Sequence, residues 1–211
     1  MAVPYVDGSM RAFLDKLATA SPEPGGGSVA ALVGALGAGL VSMVASLTIG
    51  KEKYAGVQER IKVLLGEAEA VREMLQELLQ RDAEVYGAVS EAMKMPRETE
   101  EQTAERAARM QTALKEAARV PLAIGEQVLR VARLSAIAAE IGNVNAVSDA
   151  GVAALLAEAA AQSAALNVKI NIGWIDDAEF NRVSWERVQA ILDETARLRE
   201  HVVAMTYEKL G

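Results

Sequence analysis

The run from Val29 to Ile49 constrains the fold more than any other part of this chain, because it contains no charged residue. It follows the glycine-rich segment Gly25–Gly27 and ends at Gly50, immediately before a segment with two lysines. A phosphate-binding loop, a membrane-spanning helix and a helix buried inside a bundle are the structures that such a run can form. The choice among them decides the fold class.

A buried helix is the structure that the sequence favours. Gly25-x-Gly27-x-x-Ala30 formally matches a dinucleotide-binding fingerprint, but that motif follows a strand, whereas a helical pattern precedes it here. The run is long enough to span a bilayer, yet Gly, Ser and Thr residues dilute it. A helix that is apolar on every side is typical of one packed on every side. Its small residues would leave room for a flat ligand, and the glycines would offer free backbone N–H groups to anions or carbonyl oxygens.

The rest of the chain is predicted to form further helices. The apolar spacing and the capping residues predict helices over residues 10–18, 28–48, 55–94 and 99–141, with Pro121 either kinking the fourth or starting a new helix. A turn over 143–148 leads into a second small-residue helix ending near 171–173, and a last helix begins at Asp176 or Asp177. The sequence therefore predicts an all-α fold, a mostly antiparallel bundle of long helices with a central small-residue helix, as a single domain over residues 1–211.

Charge and composition narrow the class of partner. The formal net charge of −7 argues against a nucleic-acid surface, which requires clustered Lys and Arg. The chain has no cysteine and one histidine, His201, which argues against a zinc site. We expect no metal, no nucleic-acid partner and no membrane partner.

Asp82 stands out among the candidate functional residues. The helix over 55–94 carries an apolar seam with steps of three and four residues, and Asp82 occupies a seam position where leucine or valine is expected. A desolvated carboxylate costs several kcal/mol unless it is paired or lies in a wet cavity. Asp82 is therefore either half of a buried ion pair with Lys or Arg, or an acid that faces a cavity.

Two clusters of polar residues can each have either a structural or a ligand-binding role. Asn143, Asn145, Ser148 and Asp149 fall within one turn, where such residues commonly cap helices and satisfy turn amides. Asn167 and Asn171 lie one helical turn apart on an alanine-lined face, and their amides can either read the edge of a heterocycle or bridge two helices. The charged run ETEEQTAERAAR, residues 98–109, is predicted to be a solvated helix face.

Three stretches together resemble one family. PGGGSVAALVGALGAGLVSMVASLTIGKEKY, IGNVNAVSDAGVAA and LNVKINIGWIDD, in this order and spacing, are similar to the cyclodeaminase family, the folate-binding C-terminal domain of formiminotransferase-cyclodeaminase, which in bacteria is also a free-standing protein. RDAEVYGAVSEAMKMPRET and ARVPLAIGEQV are similar to the family's intervening segments, so the resemblance covers nearly the whole chain.

The resemblance implies an all-helical homodimer that binds tetrahydrofolate in a cleft and acts on the carbon that bridges N5 and N10. The absence of cysteine fits a cytoplasmic protein. Formiminotetrahydrofolate cyclodeaminase, which releases ammonia to form 5,10-methenyltetrahydrofolate, is the activity that the resemblance implies first. The alternatives are a methenyltetrahydrofolate cyclohydrolase using the same cleft and a non-catalytic helical binding or scaffold protein. Neither reaction requires a metal or a redox cofactor, so we expect no cofactor beyond the folate substrate.

This chemistry assigns hypothetical roles to the unusual residues. A carboxylate close to the cationic carbon would stabilise it and carry a proton, and Asp82 is the first candidate for that catalytic role and Asp149 the second. Lys51 and Lys53 would bind the anionic glutamyl tail as point charges. The residues expected to hold the pterin and the bridge are Gly25, Gly26, Gly27, Ser28, Asn143, Asn167 and Asn171.

Overall fold

The all-α prediction is confirmed by a computed structural model, which describes residues 5–211. It contains six α-helices: α1 (Met10–Leu17), α2 (Gly26–Ser46), α3 (Gln58–Lys94), α4 (Glu100–Ile141), α5 (Val147–Ile172) and α6 (Ala178–Leu210). Short 3-10 helices, Glu52–Val57 and Val144–Ala146, precede α3 and α5. The assignment of the whole chain to one domain stays a prediction, and its first four residues lie outside the described ones.

Helix α2 contacts α3, α4 and α5, while α6 packs on α4 and α5. It is not packed on every side within one chain, contrary to the sequence prediction, since Leu36 and Met43 are exposed. It runs antiparallel to α3, since Gly27 lies beside Asp82 and Gly34 lies beside Leu75. A Cβ atom at position 34 would lie 2.5 Å from Val128 Cγ1 on α4. The absence of a side chain at Gly34 therefore permits close helix packing.

The apolar seam of α3 faces the core along most of its length. Most of its positions are buried, and the buried members are Ile61, Leu64, Ala68, Val71, Leu75, Leu78, Val89 and Ala92. Asp82 interrupts this buried stripe about two-thirds of the way along the helix. The position of the acid in the seam is therefore confirmed.

Pro121 neither breaks α4 nor starts a new helix, since α4 is continuous from Glu100 to Ile141. Proline has no N–H, so the carbonyl of Ala117, four residues earlier, loses its usual helical donor. Asn171 on α5 donates its Nδ2 to that carbonyl at 2.8 Å. A side chain from the neighbouring helix thus replaces the missing backbone hydrogen bond.

Two segments, Gly26–Ser46 and Val144–Ile172, are long and apolar enough to cross a membrane. About half of each window is buried within the bundle, at 56% and 50%. Core helices of soluble proteins have the same length and composition, so this finding is weak support for a membrane location.

Candidate functional site

An open cavity of about 1010 Å³ lies where the N-terminus of α2 meets α3, α4 and the C-terminal end of α5. Its floor contains Gly25–Gly27 and Asp82, its walls are mostly apolar, and Trp174 and Tyr86 stand exposed beside it. A mostly apolar cleft with a few convergent polar groups is the usual form of a small-molecule site.

Asp82 is held at the first turn of α2 by Ser28. The Ser28 hydroxyl donates to Asp82 Oδ2 at 2.9 Å, and the Ser28 backbone N–H donates to the same carboxylate. Burial raises the pKa of the Asp82 carboxyl above its usual range, and the two hydrogen bonds from Ser28 partly oppose that rise. No Lys or Arg among residues 5–211 pairs with Asp82, so it is an acid facing a cavity and not half of an ion pair.

Gly27 is the residue that allows the carboxylate to come so close to α2. A Cβ atom at position 27 would overlap the Asp82 carboxyl group, with Cγ at only 2.6 Å. At Gly26 the nearest atom to such a Cβ would be Asn167 Nδ2, at 3.1 Å. The glycines therefore provide space for Asp82 and Asn167.

The first turn of α2 differs from the sequence prediction in two respects. Gly25 is the N-cap, and Ser28, at which the sequence predicts the helix to begin, lies inside the helix and points its hydroxyl at Asp82. The N–H group of Ser28 donates to that carboxylate and so is not free for an anion, because Asp82 already compensates the positive end of the helix dipole.

Asn167 and Asn171 both line the cavity, but their amide nitrogens are committed to helix carbonyls. Asn167 donates to the carbonyl of Ser163 at 2.8 Å, and Asn171 donates to those of Ala117 and Asn167 at 2.8 and 2.9 Å. Their Oδ1 atoms accept no hydrogen bond from residues 5–211. Asn171 therefore bridges α5 to α4, whereas Asn167 donates only within α5, and the Oδ1 atom of each remains an acceptor.

Asn143 does not line this cavity, contrary to the expectation that it would hold the pterin. Its backbone N–H donates to Thr48 Oγ1 at 2.8 Å and its Nδ2 to the Leu47 carbonyl at 3.0 Å. Its Oδ1 accepts from the backbone N–H of Asn145 at 3.2 Å. The turn-and-cap interpretation is therefore the one that the structure supports for Asn143, which fixes the C-terminal end of α2 to the α4–α5 turn.

Lys51, Lys53 and Asp149 also lie outside the cavity. The two lysines follow α2, whose 21 residues span about 30 Å, and Asp149 is in the first turn of α5 beside the same end of α2. Asp82 and Gly27 are at the opposite end. Within one chain, therefore, neither Asp149, the second catalytic candidate, nor Lys51 and Lys53, the predicted tail-binding residues, reach the cavity.

The sequence prediction missed Arg106, which lies in the run assigned to a solvated face. Arg106 lines the cavity with Met93 and Met110, and its side chain is partly buried. A signal was available, because Arg106, Met110, Leu114 and Ala117 follow steps of four, four and three residues along α4. Arg106 therefore interrupts the apolar seam of its helix as Asp82 does in α3.

The bundle and its cavity define a helical protein with a small-molecule cleft and an unpaired acid at its floor. Over residues 9–206 the chain matches the family model described as formiminotransferase-cyclodeaminase. This chain belongs to that family. Within residues 5–211, no group of three or more His, Asp or Glu side chains is placed to hold a metal ion.

Individual relatives agree with this assignment. The chain is 43% identical to the methenyltetrahydrofolate cyclohydrolase of Methylorubrum extorquens, over 96% of this chain and 98% of that protein. The formimidoyltransferase-cyclodeaminase of Mus musculus is 35% identical over 90% of this chain, which spans only 35% of that longer protein. Among solved structures, formiminotetrahydrofolate cyclodeaminase of Thermotoga maritima superposes with a TM-score of 0.87 at 31% identity, covering 97% of this chain and 98% of that one.

Proposed function

We propose that this chain is a folate enzyme that acts on the carbon bridging N5 and N10 of tetrahydrofolate, with Asp82 as its acid–base group. The observation that carries the proposal is the Asp82 carboxylate at the cavity floor, ionisable and without a cationic partner among residues 5–211. A carboxylate in that position suits a substrate whose reacting carbon is part of an amidinium cation.

Hydrolysis of the methenyl bridge is the first candidate reaction. Asp82 takes a proton from a water molecule while the oxygen of that water bonds to the cationic carbon, and a neutral tetrahedral adduct forms. The C–N5 bond then breaks, N5 receives the proton from Asp82, and the hydroxyl loses its own proton as the formyl group forms on N10. Full-length similarity to a cyclohydrolase at 43% identity supports this candidate.

Ammonia release is the second candidate, and the similarity to the Thermotoga maritima cyclodeaminase favours it. In this reaction N10 attacks the formimino carbon, Asp82 accepts the N10 proton, and the same proton is returned to the amino group, which leaves as ammonia. Both reactions are acid–base chemistry at one carbon, so we propose that neither uses a metal or a redox cofactor.

Absorbance of the methenyl chromophore separates these candidates. A cyclohydrolase removes the absorbance of 5,10-methenyltetrahydrofolate faster than buffer does, whereas a cyclodeaminase generates that absorbance from 5-formiminotetrahydrofolate and releases an equal amount of ammonia. If neither substrate changes faster than in buffer, the proposal that the chain is an enzyme fails, and only a binding protein is left.

The pH dependence of the reaction should report Asp82. The active form is the ionised carboxylate, so kcat/KM should fall as pH falls through the Asp82 pKa. Burial raises that pKa, so the midpoint should lie above about 3.9, the usual aspartate value. The measurement is kcat/KM against pH after subtraction of the uncatalysed rate. If kcat/KM of Asp82→Asn fell at low pH with the same midpoint as wild type, the fall would belong to another group.

We also propose that the chain forms a homodimer in the cytoplasm. Exposed apolar side chains follow one stripe of α2 and continue on α5: Leu36, Met43, Leu47, Val152 and Leu155. An adjacent apolar groove of about 670 Å³ includes Leu32, Leu36 and Leu40. A second copy presents the same apolar helix α2, so the surface is suited to a self-complementary twofold contact.

A charge in the α2 stripe should separate the copies. We expect the wild-type protein to sediment at twice its chain mass of 22.4 kDa and Leu36→Glu to sediment as a monomer at the same micromolar concentration. Val63→Glu, which places the same charge at an exposed apolar position on α3, is the matched control and should remain dimeric. A monomeric wild-type protein would contradict the proposal.

A further inference from the structure

Arg106 is a cation in the cavity wall whose guanidinium is largely uncommitted. Its Nη2 donates to the Met93 carbonyl at a long 3.4 Å, and its Nε is enclosed and has no hydrogen-bond partner within residues 5–211. A guanidinium has five donors, and an enclosed donor without an acceptor is costly. The Nη groups, of which only Nη2 makes a long contact, remain available to an anion bound beside Arg106.

Three other cations on α3 and α4 are already paired with carboxylates. Arg81 and Arg119 both pair with Glu116, and the distance from Arg81 is 3.7 Å. Lys115 pairs with Asp177 at 2.6 Å. Among the residues that line the cavity, Arg106 is the one Lys or Arg side chain, and no described carboxylate pairs with it.

The cavity is polarised from end to end. Asp82 lies at the floor, and Arg106 contacts the backbone of Met93, which is 11 residues further along α3 and therefore about 16 Å away along the helix axis. The wall between them is apolar and includes Val85, Val89 and Leu114. The cavity thus has an anionic end, an apolar middle and a cationic end.

We infer that Arg106 binds the glutamate carboxylates of the folate substrate. This inference rests on the proposed function, because a folate has the matching order of groups: a cationic one-carbon bridge, a flat benzoyl ring and an anionic glutamate. With the bridge at Asp82, the ring lies on the apolar wall and the carboxylates reach Arg106, whose planar fork of donors matches a carboxylate. Arg106 then takes the role that the sequence had assigned to Lys51 and Lys53.

The test compares two ligands and three variants by calorimetry. The ligands are 5-formyltetrahydrofolate and its analogue in which both glutamate carboxylates are amidated. We expect Arg106→Gln to raise the Kd for the folate about 10- to 100-fold, because a charge-assisted hydrogen bond is lost, and to leave the Kd for the diamide unchanged. Arg109→Gln, an exposed arginine on the same helix outside the cavity, should change neither Kd.

Kinetics provide a second readout. Arg106→Gln should raise KM for the folate substrate by a similar factor and leave kcat close to the wild-type value, because the contact is the same in the ground and transition states. Equal weakening of both ligands would overturn the inference, since a structural defect does not distinguish them. A folate-specific loss in a Lys51→Gln, Lys53→Gln variant with none in Arg106→Gln would overturn it as well.

Failure of the proposed function has a different signature. If wild-type protein binds neither ligand, the folate assignment itself is wrong, and the role of Arg106 is wrong with it. If wild-type protein binds both ligands equally and Arg106→Gln changes nothing, folate binding stands and only the Arg106 subsite is rejected.

Discussion

Asp82→Asn should lower kcat by about 10²- to 10⁴-fold and leave the bundle folded, because the amide retains the shape of the side chain but cannot accept a proton. The neutral side chain also loses the attraction between a carboxylate and the cationic carbon. The measurement is the rate of methenyl absorbance change at saturating substrate. Asp193→Asn, an exposed acid on α6, is the matched control and should retain wild-type activity.

The stability of the same variant provides an independent check on Asp82. A raised pKa in the folded state means that this group stabilises the fold most below its unfolded pKa, and that the stabilisation is lost as pH rises through the folded pKa. Asp82→Asn lacks this dependence, so its Tm relative to wild type should increase as pH rises through that window. The assignment would be contradicted if the activity of Asp82→Asn stayed within a few-fold of wild type, or if the variant were unfolded at neutral pH.

Gly27→Ala should lower activity about 100-fold even though every acid–base group is still present. The added methyl group would overlap the Asp82 carboxyl, so the carboxylate must move, and a displacement of about 1 Å can cost about 10²-fold in rate. Overpacking at a buried position should also reduce the free energy of unfolding by about 1–3 kcal/mol. Activity assays and urea unfolding measure the two effects separately.

Gly66→Ala is the matched control for this substitution. Gly66 lies inside α3, and a Cβ there would meet nothing within 4 Å, so alanine should stabilise the protein by about 0.5–1 kcal/mol and leave activity unchanged. Wild-type activity in Gly27→Ala would show that the close contact between Gly27 and Asp82 has no part in catalysis.

The sequence could predict the helices and one candidate functional residue because both depend on local periodicity. The three- and four-residue steps of α3 predicted which of its residues are buried, and Asp82 was the one charged residue among those positions. The same rule applied to α4 identifies Arg106, but the charged residues around it led to the assignment of a solvated face. A single charge at a seam position is therefore a candidate site residue even where it lies within a charge-rich run.

What the sequence could not predict depends on which end of a long helix each group occupies. The predicted helix over 28–48 already separates the glycines from the lysines by about 30 Å, but the sequence does not show which of its two ends carries the cavity. Asn143 has the composition of a binding residue, but its donors are used to fix the C-terminal end of α2. Ser28 resembles a helix cap, and only the neighbouring α3 explains why its hydroxyl turns to Asp82.

A crystal structure of the protein with 5-formyltetrahydrofolate would show directly whether the substrate lies against Asp82. We expect the one-carbon group within hydrogen-bonding distance of the Asp82 carboxylate, near Gly26 and Gly27, with the glutamate directed to Arg106. A folate bound at the far end of α2, beside Lys51 and Asp149, with Asp82 in contact only with solvent and Ser28, would contradict it.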